Sequence, residues 1–175
     1  MHSPITVGIL SDTHLREPTE EFRQLAEVCF CDADIILHAG DLVDHRVLDV
    51  FEGKTVYAVH GNMCRSSACH RLPRTAVIPV GGFTIGLIHR TGFSYDFEAL
   101  LLGEFDQMVD CIVYGHTHKP VCHERDGILY INPGRFLPTG RYGAPGSYAL
   151  LTVAQQLTGR ICQTPMLTDL GNRQP

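Results

Sequence analysis

An α/β fold is expected for this chain, with two packed sheets carrying helices on their outer faces. Two observations predict it. Strand-like and helix-like patterns alternate strictly over roughly the first third of the sequence, the grammar of a largely parallel sheet. The later part instead carries two-residue hairpin signals, Gly81-Gly82 and Asp126-Gly127, which favour antiparallel pairs.

Ile5–Leu10 is a short apolar run with a β-branched bias and reads as a buried strand. Thr19 then offers an N-cap, Glu20 and Glu21 suit the first turn, and Phe22, Leu25, Ala26 and Cys29 recur at helical spacing. Ile35–Ala39 is the next strand, Val47–Phe51 belongs to a short helix, and Thr55–Val59 is a third strand. Ala76–Val80 and Phe83–Ile88 flank the first hairpin turn. A helical stretch near Phe97–Leu102 precedes a buried strand at Cys111–Tyr114. Val121–Glu124 and Ile128–Asn132 form the second hairpin, and Tyr148–Val153 with Gly159–Cys162 add late strands. Gly134–Gly146, rich in Gly, Pro and Arg, is expected to be a surface loop, and the tail from Thr168 onward to be frayed. With neither repeat nor linker in its 175 residues, the chain reads as a single domain spanning 1–175.

Bulk properties narrow the function classes. Hydrophobic residues make up 44%, enough to fill a substantial core. A net charge of -5 gives no basic face for nucleic acid, so no nucleic-acid partner is expected. No apolar run approaches the roughly 18 residues of a membrane span. The start, Met-His-Ser-Pro, has no signal-peptide pattern, so the seven irregularly spaced cysteines are expected to be reduced thiols in the cytoplasm. Cys64, Cys69 and His70 have a spacing too weak to read as a zinc site.

The chemistry lies just past the strands. Asp12 and His14 follow the first, Gly40-Asp41 the second and Gly61-Asn62 the third. His89 and then Gly115-His116-Thr117-His118 follow two strands of the later part. Strand carboxyl ends form the ligand crevice of open α/β sheets, so five loops of ligand-type residues converge on one rim. Aspartate oxygen and imidazole nitrogen suit manganese, iron, zinc or nickel. In an extended segment, Asp-X-His and His-X-His spacings put both side chains on one side. The glycines before Asp41, Asn62 and His116 permit tight turns there. A carboxylate such as Asp41 can bridge two cations roughly 3.5–4 Å apart, a spacing that clamps a phosphoryl group for in-line attack.

The ordered set of Asp12-Thr13-His14, Gly40-Asp41, Gly61-Asn62, His89, Gly115-His116-Thr117-His118 and Asn132-Pro133-Gly134 resembles the calcineurin-like metallophosphoesterase superfamily, and within it the small bacterial and archaeal phosphodiesterase branch. The resemblance implies a four-layer α/β/β/α sandwich of two mixed sheets with outer helices. It implies one metal held by Asp12, His14, Asp41 and His118, and a second by Asp41, Asn62, His89 and His116. Asp41, Asn62 and His116 are the candidate catalytic residues of that set, and a metal-bridging hydroxide is the implied nucleophile. Two divalent ions are thus expected, manganese foremost with nickel, zinc or iron also suited. The expected partner is a small phosphoester, and the resemblance alone suggests a homodimer.

This chain departs from the family pattern at four places. Met63 stands where many relatives have a histidine that helps protonate the leaving group, and Cys64 where the small phosphodiesterases often have aspartate. Arg90-Thr91 replaces Gly-His after His89, and Arg135 replaces the serine of Asn-Pro-Gly-Ser. Arg65, Arg90 and Arg135 are candidate substrate contacts, because guanidinium suits phosphate oxygens. Asp44 reads as a helix cap and His38 and His60 as core or supporting residues. Asn132-Pro133-Gly134 can end a strand with a turn, and the resemblance implies that it also buttresses the rim. His45, His70 and His123 have no placed role. Phosphodiester hydrolysis is the leading function. The alternatives are a phosphomonoesterase or protein phosphatase, and a catalytically silent scaffold like the retromer small subunit.

Overall fold

Side-chain alternation along the strands sorts the apolar residues into three layers of core. The structure is a computed structural model that describes residues 3–92, 94–139 and 143–166. The expected frayed tail, and positions 140–142 of the expected surface loop, lie outside the described residues.

The first sheet contains β1 (Ile5–Leu10), β2 (Ile35–His38) and β3 (Thr55–Ala58), which run parallel, and β9 (Ser147–Val153) and β10 (Leu157–Gln163), which run antiparallel, in the order β10-β9-β1-β2-β3. The second contains β4 (Thr75–Val80), β5 (Phe83–Ile88), β6 (Cys111–Tyr114), β7 (Val121–Arg125) and β8 (Ile128–Asn132), in the order β4-β5-β6-β8-β7. There β5, β6 and β8 are parallel, and the two hairpins supply antiparallel edges. Both sheets are mixed, as expected. The chain leaves the first sheet after β3 and returns to it with β9.

Between the sheets lie Val7, Ile9, Leu37, Ile85, Leu87, Val113, Ile131 and Leu151, all fully buried. The opposite face of the first sheet, with Leu10 and Ile36, packs under α1 (Glu20–Phe30) and a 3₁₀ helix (His45–Phe51) through Phe22, Leu25, Phe30 and Phe51. The opposite face of the second, with Ile88, Ile112 and Tyr114, packs under α3 (Phe97–Leu102) through Leu101. Helix, sheet, sheet and helix therefore stack as four layers.

Local chemistry fixes the helix starts. Thr19 caps α1, its hydroxyl oxygen accepting from the Phe22 N–H at 3.2 Å, with Glu20 and Glu21 favourably placed in the first turn. Asp44 caps the 3₁₀ helix by accepting from the Arg46 N–H at 3.1 Å, as the sequence suggests. Helix α2 (Ser66–Arg71) was not anticipated: six residues cannot establish a periodicity, and Arg65 at its N-cap makes no side-chain capping bond. All seven cysteines are free thiols. Among the described residues, no helix is long and apolar enough to cross a membrane.

Candidate metal centre

The loops after β1, β2 and β6 leave their strands abruptly, and the backbone shows it. Among the described residues, positive φ occurs at seven non-glycine positions, of which Asp12, His14, Asp41, Val43, His116 and His118 belong to the loops after β1, β2 and β6. Such conformations cost on the order of 1–3 kcal/mol each and persist only where surrounding structure enforces them. This corrects the extended geometry expected for Asp12-X-His14 and His116-X-His118. Here the side chains converge because each of these residues is left-handed, with φ of 54° and 53° in the first pair and 87° and 56° in the second. Asp and His tolerate that region better than β-branched residues do.

Two groups of donor atoms result. Asp12, His14 and His118 form one, and Asp41, His89 and His116 the other, with the donor atoms of each group within 4.8 Å of one another. In the first, His118 Nε2 lies 3.2 Å from Asp12 Oδ1 and 3.3 Å from His14 Nε2. In the second, His89 Nε2 lies 3.2 Å from both Asp41 Oδ2 and Asn62 Oδ1, so the exposed Asn62 joins that group. Cys64, Cys69 and His70 form no such group among the described residues.

The surrounding bonds aim these atoms. Ser11 Oγ donates to Asp12 Oδ2 at 2.6 Å and the His116 N–H donates to the same oxygen at 3.1 Å. Among the described residues, Asp12 Oδ1 is left buried without a hydrogen-bond partner, although His118 is close. The Met63 N–H donates to Asp41 Oδ1 at 2.7 Å, leaving Oδ2 toward His89. His89 Nδ1–H donates to the Ala39 carbonyl at 2.8 Å, which in the neutral ring leaves the Nε2 lone pair facing two oxygens. Asn132, fully buried, donates through Nδ2 to Thr117 Oγ1 at 3.0 Å and accepts from the Gly134 N–H at 2.9 Å. That is a buttress under the His116–His118 loop.

Close approach makes the glycines obligatory. A Cβ at Gly61 would stand 2.1 Å from Asp41 Oδ1 and 2.6 Å from the Asp41 backbone nitrogen. At Gly115 it would meet Ser11 Oγ at 2.1 Å and the Ala39 carbonyl oxygen at 2.5 Å.

Charge is distributed accordingly. Burial opposes protonation of His89, but the Asp41 carboxylate outweighs it and raises the pKa of His89. Burial likewise works against the Asp41 anion, and contact with His89 more than compensates, so its pKa falls. For His14 burial wins over the attraction of Asp41 and Asp12, and its pKa is lowered. Asp41 thus acts electrostatically on residues of both groups.

His38 is the part of the centre whose role its sequence context least reveals. It is fully buried, its Nδ1 accepting from the Gly40 N–H at 3.2 Å and its Nε2 donating to Thr13 Oγ1 at 3.1 Å. One neutral ring therefore ties the Asp12–His14 loop to the Gly40-Asp41 turn. Its burial, chiefly, depresses the pKa to about 3. A histidine at the end of a strand, three residues before a ligand-type aspartate, was the available signal. His60, half-buried, places its backbone N–H on Pro73 instead.

The three arginines separate. Arg65 is exposed at the N-cap of α2. Arg90 pairs with Glu104 at 2.6 Å, a carboxylate it shares with Arg74. Arg135 lies close enough for its charge to act on His14, and its Nε is buried without a partner among the described residues.

The calcineurin-like phosphoesterase superfamily domain model matches residues 5–156. The chain belongs to the calcineurin-like phosphoesterase superfamily. A probable metallophosphoesterase of Methanothermobacter thermautotrophicus is 31% identical over 161 residues, covering 90% of this chain and 92% of that protein. Phosphodiesterase MJ0936 of Methanocaldococcus jannaschii is 28% identical over 143 residues, covering 73% of this chain and 82% of its own length. Solved calcineurin-like folds agree. A predicted phosphoesterase of Streptococcus pneumoniae superposes with a TM-score of 0.70 at 20% identity, covering 94% of this chain and 92% of that one. Vacuolar protein sorting 29 of Cryptosporidium parvum gives 0.68 at 21% identity, covering 91% and 97%. These two likenesses concern the fold alone.

Proposed function

We propose that this calcineurin-like protein is a dinuclear-metal-dependent phosphoesterase acting chiefly on phosphodiesters. The observation that carries the reading is the pair of donor groups on one rim, each a convergence of Asp and His donor atoms within 4.8 Å of one another. His89 Nε2 lies 3.2 Å from both Asp41 Oδ2 and Asn62 Oδ1, and buried Asp12 Oδ1 has no hydrogen-bond partner among the described residues. A cation in each group satisfies both arrangements, so the donor set fits the metals that the family implies.

In this reading Asp12, His14, Asp41 and His118 hold one ion, and Asp41, Asn62, His89 and His116 the other, with Asp41 shared. Two such ions supply an activated water and offset the charge developing on phosphoryl oxygen. The chain's own residues do the positioning. Ser11 and the His116 N–H orient Asp12, the Met63 N–H orients Asp41, and the Ala39 carbonyl fixes the His89 tautomer. Such supporting contacts to metal ligands are typically worth 10–100-fold in affinity or activity. Mixed Asp, Asn and His donors suit manganese, with nickel, zinc and iron as competitors.

The similarity to phosphodiesterase MJ0936 favours diesters over monoesters. The filled donor groups favour an enzyme over a scaffold. Seven free thiols fit a reducing, cytoplasmic setting. Asp41→Ala and His118→Ala are each expected to abolish hydrolysis of bis-p-nitrophenyl phosphate while far-UV circular dichroism stays unchanged. An undiminished rate in either variant refutes the reading.

A further inference from the structure

Beside the His118 edge of the centre opens a cavity of about 390 Å³. That is within the roughly 300–1,000 Å³ of small-molecule sites. Its walls are mainly apolar, with Pro120, Leu137, Pro145 and Ile161 among them, while His118, Arg135, Thr139, Ser147 and Gln163 supply its polar groups. Among the described residues, no acidic side chain lines it. We propose that this cavity receives one aromatic or bulky apolar ester arm of the substrate, with Arg135 at its mouth contacting the phosphate.

The cavity is built into the same framework as the rim. The Phe136 N–H donates to the Ser11 carbonyl at 3.1 Å, so the chain segment carrying Arg135 is tied directly to the turn that presents Asp12. The Ser147 N–H donates to the Arg135 carbonyl at 2.8 Å, and Ser147 Oγ to the Pro133 carbonyl at 2.7 Å. Thr164 braces this segment, its N–H reaching the Gly146 carbonyl at 2.8 Å and its hydroxyl the Phe136 carbonyl at 2.8 Å. These bonds hold the Arg135 and Gly146-Ser147 parts of the wall in place, so a ligand does not bear the cost of ordering them.

Charge and polarity select the occupant. Arg135 offers the cavity a guanidinium whose Nε has no partner among the described residues, which suits a phosphate oxygen at the boundary with the donor groups. Ser147 Oγ, a polar group of the lining, is already committed to a backbone carbonyl. A polyol arm would lose its water there for few new hydrogen bonds, whereas an aryl arm gains by burial.

This inference rests on the phosphoesterase reading, and the test separates the two. Binding of phenylphosphonate and methylphosphonate to the manganese-loaded protein is measured by calorimetry, alongside hydrolysis of bis-p-nitrophenyl phosphate. Alkylation of each cysteine is mapped by mass spectrometry. Half-buried Cys162 lines the cavity, and exposed Cys31 at the C-cap of α1 is the control. Phenylphosphonate should bind at least about tenfold more tightly than methylphosphonate. It should also slow alkylation at Cys162 but not at Cys31. Ala144→Trp, at an exposed position of the wall, should remove the phenyl advantage and spare methylphosphonate binding. Should that variant misfold, the wild-type affinities and the Cys162 protection still decide. Equal affinities with Cys162 unprotected, in a protein that hydrolyses the diester, overturn the cavity proposal alone. No phosphonate binding and no hydrolysis overturn both.

Discussion

Acid should destabilise the metal-free protein through His38, a residue outside both donor groups. The folded protein holds this ring at a pKa of about 3, against an ordinary 6.5 when the chain unfolds. Below pH 6.5 the unfolded chain therefore takes up a proton that the native state refuses. The contribution of His38 is flat above pH 6.5. It then falls by about 1.4 kcal/mol per pH unit and levels off only near pH 3. Between pH 7 and pH 5 the loss integrates to about 2 kcal/mol. The geometry agrees with the sign, because Nδ1 accepts from the Gly40 N–H and a second ring proton would face that donor. Urea unfolding with chelator present, at pH 7 and pH 5, measures the loss in wild type and in His38→Gln. The variant starts lower, since it disturbs a strut between two loops, but its loss on acidification should be smaller by about 2 kcal/mol. His14 and His89 titrate in both proteins and cancel in the comparison. Identical pH dependence would refute the picture of a neutral His38 locked between Thr13 and Gly40.

Gly61→Ala should cost about 1–3 kcal/mol of stability and at least about tenfold in manganese affinity, because its Cβ meets both the side chain and the backbone of Asp41; unchanged calorimetric affinity would show that Asp41 has room to move. Asp12→Asn should unfold in chelator within about 1 kcal/mol of wild type, since Oδ1 has no hydrogen bond to lose. It should nevertheless forgo the stabilisation of about 2.7 kcal/mol that wild type gains at a metal concentration one hundred times Kd, and equal metal-induced shifts would contradict the assignment. Met63 offers no proton to a leaving group, so aryl phosphodiesters should turn over about a hundredfold or more faster than matched alkyl diesters; equal rates would reveal an acid elsewhere on the rim.

Much of this was legible in the residues. Ile5–Leu10, Phe83–Ile88, Phe97–Leu102 and Cys111–Tyr114 stand where the sequence placed them, because apolar runs bounded by turn residues leave few other options. The loops that follow these strands were legible as the site, since ligand-type residues recurred after one strand after another. Their geometry was not. Asp12, His14, His116 and His118 reach their groups through left-handed backbone that tertiary contacts impose and spacing does not encode. The ties that organise the centre, from His38 to Thr13 and from Asn132 to Thr117, join residues 25 and 15 positions apart. No local pattern announces them. Arg65, Arg90 and Arg135 looked equivalent as candidate phosphate contacts, yet the fold gives Arg90 to Glu104 and places Arg135 beside His118. Only the assembled rim distinguishes them.

The most direct test of the dinuclear phosphodiesterase reading is hydrolysis of bis-p-nitrophenyl phosphate and p-nitrophenyl phosphate by metal-stripped protein, with manganese, nickel, zinc, iron and magnesium restored one at a time. The expected result is turnover only after a transition metal is restored, saturating at two ions per chain, with the diester ahead of the monoester. Folded protein that binds no transition metal, or that hydrolyses neither ester with any of these ions, would contradict it.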